Sequence, residues 1–539
     1  MIAALGVISQ IFSTHFGPGI GGDATIYITS ARNLLAGQGL GLITANGNFR
    51  LLPYFPPLYP LVLACFGLFG SDLVIIAKVL NIILFGIFIW LIGFVTYLLK
   101  RSATFSVLAA FLVATSPVLV PVFSWAMAEP LAMVLGFGSM AFLIPVLQQP
   151  RNSHHRWRLW AGITAGLSML TRYSNLAFPL TGAIGLWVLS GQGIRRKLVD
   201  AILYLSISAL PTAIWLVIDL LSTSTISSRA VESSLGMTQR LISLSPALRE
   251  VFLFWLVPDS WVSSPPYPKV ANTVFVIAGI LVLITWMVIV FRSFYIKKAL
   301  SKVDPGLQFT ILLFVFILVY LVVISAVYIV TYPPITIGSR MLSPVHVAVL
   351  WLIVMLAILS LEISGAKLVE GSRLHFLPGM ILVSLFFVVG WYGWRSLRIV
   401  QQNYALGLGF NSLAWQHSPT IQVVRGLPED AILVTNEEMA ILFLTGRRAY
   451  PMMEIYLSRP LDETSFPDNT LPRFGESEVP GDTGQQLFHQ GRALLVLFNS
   501  ISDQLQSIYG NHTSDRVRSM QAGLKVIFCG EDGCVYGNP

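Results

Sequence analysis

Apolar residues fill most of this chain in runs long enough to cross a lipid bilayer, and short polar stretches separate the runs. A transmembrane helix needs about 17–25 predominantly apolar residues. By that measure the pattern predicts eleven spans, the first of them short. They lie near residues 1–16, 73–99, 104–122, 129–147, 159–172, 174–190, 198–220, 271–291, 308–331, 341–361 and 376–396. Residues 58–70 are apolar but too short to cross, so we expect an interfacial or re-entrant helix there.

The pattern changes after residue 396, where polar residues become frequent and the apolar runs shorten. Strands are predicted at AILVTN (431–436), ALLVLF (493–498), LKVIF (524–528) and CVYGN (534–538). Helix-like pieces lie between these runs, and residues 463–484 are typical of a loop. The fold prediction is therefore an all-α polytopic membrane domain over 1–396, followed by a small α/β domain over 397–539.

Composition indicates the class of protein, and the positions of the basic residues indicate the side of the membrane on which each loop lies. Of 539 residues, 55% are hydrophobic and 11% are charged, which excludes a soluble globular protein. The net charge of +8 does not predict nucleic acid as a partner, because Lys and Arg concentrate in the cytoplasmic loops of membrane proteins. A cytoplasmic N-terminus places every basic loop inside. These loops are 100–101, 151–158, 191–197, 292–302 and 362–375. The C-terminal domain and the long loops 17–72 and 221–270 are then extracytoplasmic.

Asp23 stands out because it is a lone acid directly after the first apolar segment. It follows Gly21 and Gly22, and a short amphipathic helix is predicted over 24–35. One interpretation makes Asp23 the N-cap of that helix, where it accepts a backbone N–H and complements the helix dipole. The other makes it a general base at the mouth of a cavity. The two interpretations are compatible, since a carboxylate held by backbone donors is both ionised and oriented.

Two arginines are predicted at positions in the membrane that are unusual for a charged side chain. The hairpin over 159–190 is too short to reach the outer surface, so Arg172 at its turn lies at depth. Arg340 is delivered by the outer loop YPPITIGSRMLSP to the start of a span. A purely structural explanation for Arg172 is a salt bridge or a snorkelling side chain, and the structural explanation for Arg340 is interfacial anchoring. The functional hypothesis for both is a phosphate ligand, which a planar guanidinium suits.

Further candidates lie on the same outer face. Glu129 precedes Pro130 at a helix start, where it complements the dipole or orients an acceptor or sugar. Arg50, Tyr54 and Tyr59 flank the rigid Pro-Pro element, as an aromatic belt or as walls of a sugar site. No metal site is predicted, since the histidines are scattered and HExxH is absent. Cys529 and Cys534 either close a hairpin or remain free thiols.

Several segments together resemble the GT-C integral-membrane glycosyltransferases. The likeness is strongest to the bacterial branch related to protein O-mannosyltransferases and the aminoarabinose transferase of lipid A. It is carried by IYITSARNLLAGQGL, FPPLYPLVLACFGLFG, AGLSMLTRYSNLAFPL, GSRMLSPVHVAVLWLI and GLPEDAILVTNEEMAILFLTGRRAYPM. Two positions depart from the family pattern. Ala24 follows Asp23 where mannosyltransferases often have a glutamate, and Phe55 stands where the aminoarabinose transferases carry a lysine.

The resemblance implies an enzyme of the plasma (inner) membrane that takes a sugar from a polyprenyl-phosphate carrier on the extracytoplasmic face. It implies a base at Asp23, a second acid at Glu129 and phosphate-binding residues at Arg172 and Arg340. We add Arg50, Tyr27, Tyr54 and Tyr59 as substrate-binding candidates. The acceptor is a hydroxyl of a protein, lipid or glycan, and no cofactor or divalent metal is expected.

The function prediction is an inverting transfer with Asp23 as general base. A lipid carrier suits this chain independently of the resemblance, because nucleotide sugars are scarce outside the cytoplasm and the inner loops hold no nucleotide-binding motif. Two alternatives remain. One is a secondary transporter or lipid flippase, which predicts inverted repeats and broken helices. The other is a non-catalytic scaffold of the cell envelope.

Overall fold

A computed structural model gives the fold. It describes residues 1–52, 55–148, 155–191, 193–223, 230–231, 237–257, 304–332, 335–365, 377–452 and 490–537, with a few single residues between 273 and 287 and between 455 and 488. Tyr54 lies outside the described residues, as do nearly all of the predicted span at 271–291 and the predicted loop at 463–484.

Helices form at each of the ten predicted spans that lie within the described ranges. They are α1 (Ile2–Ser13), α4 (Leu73–Lys100), α5 (Ala103–Ala114) with α6 (Leu119–Ser124), α7 (Glu129–Gln148), α8 (His155–Thr171), α9 (Ala177–Leu189), α10 (Ile194–Thr223), α12 (Pro305–Val330), α13 (Ser343–Gly365) and α14 (Leu377–Leu406). Among the described residues, five helices are long and apolar enough to cross a membrane: those in α4, α7, α10, α12 and α13. The chain is a multi-pass membrane protein, and the number eleven stays a prediction.

Two helices differ from the predicted pattern. The span at 104–122 is interrupted, since α5 ends at Ala114 and Pro117 stops the helix from continuing. The Ser116 hydroxyl accepts the Leu119 amide at 3.2 Å and so restarts the chain as α6. The loop at 221–270 contains a further helix, α11 (Met237–Leu256), that the apolar pattern did not separate from its surroundings. The two-residue strand β3 (Ala230–Val231) of the same loop pairs antiparallel with β4 (Thr331–Tyr332).

The loop between α1 and α4 is ordered by short elements. They are α2 (Gly22–Leu35), the antiparallel hairpin β1 (Gly41–Ile43) and β2 (Phe49–Leu51), and α3 (Leu58–Gly67). Helix α3 is ten residues long, about 15 Å, so it cannot cross a bilayer, as predicted. Tyr59 on α3 and Ala24 and Tyr27 on α2 belong to one buried apolar cluster with Leu73 and Ala77 at the start of α4.

The tail folds around one sheet, whose strands form at all four predicted runs. They are β5 (Ile432–Thr435), β7 (Ala493–Phe498), β8 (Lys525–Cys529) and β9 (Gly533–Gly537), and β6 (Tyr450–Pro451) adds an unpredicted edge. The order is β6-β5-β7-β9-β8, with β5 parallel to β6 and β7 and the others antiparallel. The helices are α15 (Leu413–Gln416), α16 (Pro419–Gly426), α17 (Glu438–Thr445), α18 (Ile501–Tyr509) and α19 (Thr513–Gln521). A disulfide between Cys529 and Cys534 closes the β8–β9 hairpin.

The tail is joined to the loop between α1 and α4 by backbone hydrogen bonding. The Phe410 amide donates to the Ile20 carbonyl at 2.8 Å, and the Asn411 side chain donates to the Pro18 carbonyl at 2.7 Å. Gly409 has φ of 54°, and a Cβ there would lie 2.0 Å from the Ile20 oxygen, so only glycine allows this approach. The residues just before α2 are therefore held by the tail.

A group of charged side chains marks one end of the helix bundle. Lys100, in the last turn of α4, donates to Asp304 and to Glu362, each at 2.7 Å. Asp304 also caps α12 by accepting the Leu307 amide at 3.1 Å. Helix α4 has 28 residues, so this end lies about 40 Å along the helix from Leu73, which packs beside α2 and α3.

Candidate active site

Asp23 lies in the first turn of α2 rather than at its N-cap. The N-cap is Gly21, whose extended backbone begins the helix without a side-chain hydrogen bond. The N-cap interpretation of Asp23 is therefore wrong, because the helix starts two residues earlier than predicted. A carboxylate in the first turn still faces the positive end of the helix dipole. Its oxygens are left available for a partner from elsewhere in the chain.

That partner is Arg340, which lies in the loop before α13. Its Nη2 donates to Asp23 Oδ2 at 2.7 Å, and its Nε lies 3.0 Å from Glu129 Oε1. Its Nη1 faces the Met127 sulfur at 3.4 Å. Burial by itself lowers the pKa of Arg340, but the Glu129 and Asp23 carboxylates outweigh it and hold that pKa above its ordinary value. The guanidinium is therefore a fixed positive charge shared by two acids.

Glu129 is the first residue of α7 and joins the two arginines. Its Oε1 accepts from Arg340 and also from Arg172 Nη1. Its other oxygen, Oε2, is buried and has no hydrogen-bond partner within the described ranges. At a helix start Glu129 also complements the dipole, so its predicted position along the helix is confirmed, while its position on the outer face stays a prediction.

Arg172 reaches Glu129 because the α8–α9 connection is tight. Helix α8 ends at Thr171, Arg172 itself is extended with φ of −150°, and a single 3₁₀ turn over Tyr173–Leu176 leads into α9. The predicted structural salt bridge of Arg172 is thus present, and its acceptor is another candidate site residue. The four residues form a continuous chain in the order Asp23, Arg340, Glu129, Arg172, which we call the ion-pair chain.

The ion-pair chain is formally neutral and is open at one end only. The exposed fractions of the side chains are 29% for Asp23 and 40% for Arg340, against 3% for Glu129 and 15% for Arg172. A ligand approaching from outside therefore meets Asp23 and Arg340 first. The buried pair behind them fixes the position of Arg340 through Glu129 Oε1.

Three aromatic rings stand beside this chain. Tyr27 contacts Tyr59 edge to face with centroids 5.3 Å apart, and Phe55 with centroids 5.1 Å apart. The Tyr27 hydroxyl is buried without a hydrogen-bond partner in the part of the chain that the structure describes. Burial, with the nearby Asp23 and Glu129 carboxylates, raises the pKa of Tyr27 well above its ordinary value. The phenol therefore stays protonated, and its O–H can donate a hydrogen bond to a ligand.

Arg50 takes a different position from the other candidates. It lies on β2, opposite Leu42 in the hairpin register, and is not a member of the ion-pair chain. Of the eight predicted site residues, the structure brings Asp23, Glu129, Arg172, Arg340, Tyr27 and Tyr59 to one region.

One residue of this region was not singled out from the sequence. The Tyr320 hydroxyl, on α12, donates to the Met341 carbonyl at 2.8 Å and lies 3.4 Å from Ser174 Oγ. Met341 follows Arg340, and Ser174 lies two residues after Arg172. Tyr320 thus ties together the two loops that carry the arginines. The sequence signal for Tyr320 is weak, because the same span also contains Thr310, Ser325 and Tyr328.

The tail covers this region through α17. Met439 packs near Gly22, and Ala440, Phe443 and Leu444 join the apolar cluster that contains Ala24 and Tyr27. At the start of α17, Glu437 accepts from the Ser500 hydroxyl at 2.7 Å and from the Gln504 amide at 2.9 Å. Burial raises the pKa of the neighbouring Glu438 to about 7. Over the described residues, no three His, Cys, Asp or Glu side chains gather as a metal-binding group.

Comparison with known proteins identifies the fold. No family model matches the chain, and no curated protein matches its sequence. Among solved structures, ArnT from Cupriavidus metallidurans bound to undecaprenyl phosphate is similar with a TM-score of 0.53 and 13% identity, over 100% of this chain and 97% of ArnT. The apo oligosaccharyltransferase from Archaeoglobus fulgidus is similar with a TM-score of 0.52 and 10% identity, over 100% of this chain and 74% of that one. The chain thus has the GT-C fold of membrane glycosyltransferases.

Proposed function

We propose that this protein transfers a sugar from a polyprenyl-phosphate carrier to a hydroxyl acceptor on the extracytoplasmic face of the plasma membrane. The observation that carries the proposal is the ion-pair chain, in which a partly exposed acid and a partly exposed arginine open outward together. A transfer of this kind needs a base for the acceptor and a cation for the departing phosphate, side by side.

The carrier class is supported by the fold and by the charge of the site. One protein of this fold was solved with undecaprenyl phosphate bound. Two guanidinium groups suit a phosphate because each presents a fork of N–H donors. The protonated Tyr27 hydroxyl, which has no partner in the described chain, supplies a further donor for a phosphate or sugar oxygen.

In the proposed step, Asp23 accepts the proton of the acceptor hydroxyl as its oxygen attacks the anomeric carbon. A new bond forms between that oxygen and the sugar, with inversion. The bond from the anomeric carbon to the carrier oxygen breaks, and its electron pair leaves with the phosphate. The carrier departs as a phosphate monoester with one more negative charge than the diester had, while Asp23 has become neutral.

The arginines stabilise this movement of charge. Before transfer, the two acids balance the two arginines; after it, protonation of Asp23 leaves the ion-pair chain with one net positive charge beside the new phosphate charge. Preorganised cations of this kind contribute to the rate because they need no rearrangement as charge develops. In this mechanism Glu129 is a positioning residue that holds both arginines, and no metal is required for the charge balance.

The test compares two acids of the same outer loop. Asp23→Asn should lower turnover of undecaprenyl-phosphate monosaccharides by about 10²–10⁴-fold, since a positioned general base contributes that much. Asp72, which caps α4 by accepting the Val74 amide at 2.6 Å, is the matched control. Asp72→Asn keeps a capping side chain and should leave turnover unchanged.

The measurement is release of undecaprenyl phosphate from a panel of such donors by the full chain in proteoliposomes, with a membrane extract as acceptor source. Near-normal turnover by folded Asp23→Asn protein would exclude the base assignment. Movement of lipid across the bilayer without sugar transfer would favour the flippase alternative.

A further inference from the structure

The residue proposed as the base and a residue proposed to bind phosphate are bonded to each other. Arg340 Nη2 donates to Asp23 Oδ2 at 2.7 Å, and this is the exposed half of the ion-pair chain. The Oδ2 oxygen of Asp23 is thereby occupied, and an incoming hydroxyl would have to compete with Arg340 for it. The pair as it stands is therefore a resting arrangement rather than a reactive one.

The two arginines are not equivalent targets for an incoming anion. Arg172 is mostly buried behind Glu129, whereas Arg340 has 40% of its side chain exposed. The Nε of Arg340 faces Glu129 at 3.0 Å, and among the described residues its Nη1 faces only the Met127 sulfur at 3.4 Å. The Nη1 and Nη2 edge of Arg340 is thus the open cationic edge of the chain, and one of its two nitrogens holds Asp23.

We propose that the carrier phosphate competes with Asp23 for Arg340, so that binding of the lipid-linked donor releases the carboxylate for use as the base. This inference rests on the proposed function and adds an order to it. Asp23 takes one of the two N–H groups of Nη2, and a phosphate competes for that side of the guanidinium because its oxygens can engage both Nη1 and Nη2. Glu129 keeps the guanidinium in place during the exchange through Nε.

The consequence is a donor-first sequence. In the resting protein an acceptor hydroxyl finds Asp23 already paired, so the base is withheld until a phosphate occupies Arg340. The anomeric carbon attached to that phosphate is then beside the freed carboxylate. Donor binding and activation of the base become one event.

The experiment is a double-mutant cycle read by carrier binding rather than by activity. The dissociation constant of undecaprenyl phosphate is measured for the full chain in nanodiscs, as wild type, Asp23→Asn, Arg340→Gln and the double variant. Competition predicts that Asp23→Asn tightens binding by about two- to tenfold, as expected for loss of a partly exposed ion pair. In the Arg340→Gln background the same change should leave the dissociation constant unaltered.

Each outcome decides the proposal. An unchanged dissociation constant in Asp23→Asn shows that the phosphate does not displace Asp23, as if Arg172 alone bound it, and overturns the inference. Tightening that persists in the Arg340→Gln background, or that also appears in the matched Asp72→Asn variant, is general charge repulsion and overturns it too. If the wild type itself fails to bind undecaprenyl phosphate, the proposed function fails together with the inference. Binding without tightening removes the inference alone.

Discussion

Two groups of charged side chains lie at opposite ends of the helix bundle, and they differ in what each member does for the fold. At one end, Lys100 is 2% exposed and binds two acids, Asp304 and Glu362, that are 34% and 50% exposed. Asp304 caps a helix, and Lys100 lies in the last turn of its own helix, where a cation complements the dipole. Each charge there has a structural reason.

The members of the ion-pair chain at the other end have fewer such structural roles. Asp23 caps nothing, Glu129 keeps one buried oxygen without a described partner, and Arg172 lies in a turn. Burying the Glu129–Arg172 pair costs several kcal/mol of desolvation that its attraction only partly offsets. A group of charges whose desolvation is only partly offset by pairing is a better candidate for chemistry than one whose members close helix ends.

The largest expected effect separates stability from function within the ion-pair chain. Glu129→Gln removes the negative charge that both arginines share while keeping one acceptor oxygen, and we expect it to lower the free energy of unfolding by about 3–5 kcal/mol and to abolish measurable transfer. Adding Arg172→Gln removes the buried unpaired charge, so the double variant should regain part of the stability without regaining transfer. Detergent-based thermal unfolding and donor turnover measure the two. Recovery of transfer in the double variant would contradict the role of Arg172.

A smaller effect is expected at the opposite end. Lys100→Met leaves Asp304 and Glu362 in contact with water, so we expect a loss of roughly 1–3 kcal/mol of stability. Transfer per folded molecule should stay within about twofold of wild type, since this end takes no part in the proposed step. A fall in turnover far beyond the fraction unfolded would show that the two ends are coupled and would break the comparison.

The tail offers an acid with no cation among its described contacts, and its effect depends on pH. Burial raises the pKa of Glu438 to about 7 in the folded protein. The folded state therefore holds this proton more tightly than the unfolded state, and stability falls as pH rises from about 4.5 to about 7. Glu438→Gln should stabilise the protein by about 1–2 kcal/mol at pH 8, with little difference below pH 4.5. A pH-independent difference in unfolding would contradict this assignment.

The smallest expected effect tests whether Tyr320 holds the two loops that carry the arginines. Tyr320→Phe removes the hydrogen bond to the Met341 carbonyl without opening a cavity, so stability should fall by only about 1 kcal/mol. We expect carrier binding to weaken by about three- to tenfold, because the loops bearing Arg340 and Arg172 lose their common tie. Val322, exposed on the same helix, gives a control in Val322→Ala, for which carrier binding should not change.

Much of this architecture could be predicted because its signals are local. Long apolar runs give the helices, alternation gives the strands of the tail, and an acid or arginine in an unusual position marks Asp23, Glu129, Arg172 and Arg340. The pairing among them could not be predicted, since Asp23 and Arg340 are 317 residues apart and no local feature of the sequence around one indicates the other. The same holds for Tyr320, whose hydroxyl finds backbone and side-chain partners in two distant loops.

The joint between the loop and the tail was also missed, and here a faint signal exists. It is made by the backbone of Ile20, Gly409 and Phe410, and backbone hydrogen bonds leave no preference for a side chain. The glycines at 407 and 409, directly after a long helix, have positive φ and mark a chain that must turn and approach another closely. Where it docks could not be inferred from these two positions.

The hydrogen bond between Phe410 and Ile20 makes the tail part of the structure that supports the loop carrying Asp23. Ile20 precedes Asp23 by three residues and takes its hydrogen bond from Phe410, so the segment that aims the acid is completed by chain almost four hundred positions later. Removing the tail after α14 would thus remove more than a cover: the residues just before α2, the helix that carries Asp23, would lose their backbone partner in the tail. Chimeras that exchange tails between proteins of this fold must carry the matching stretch before α2 with them.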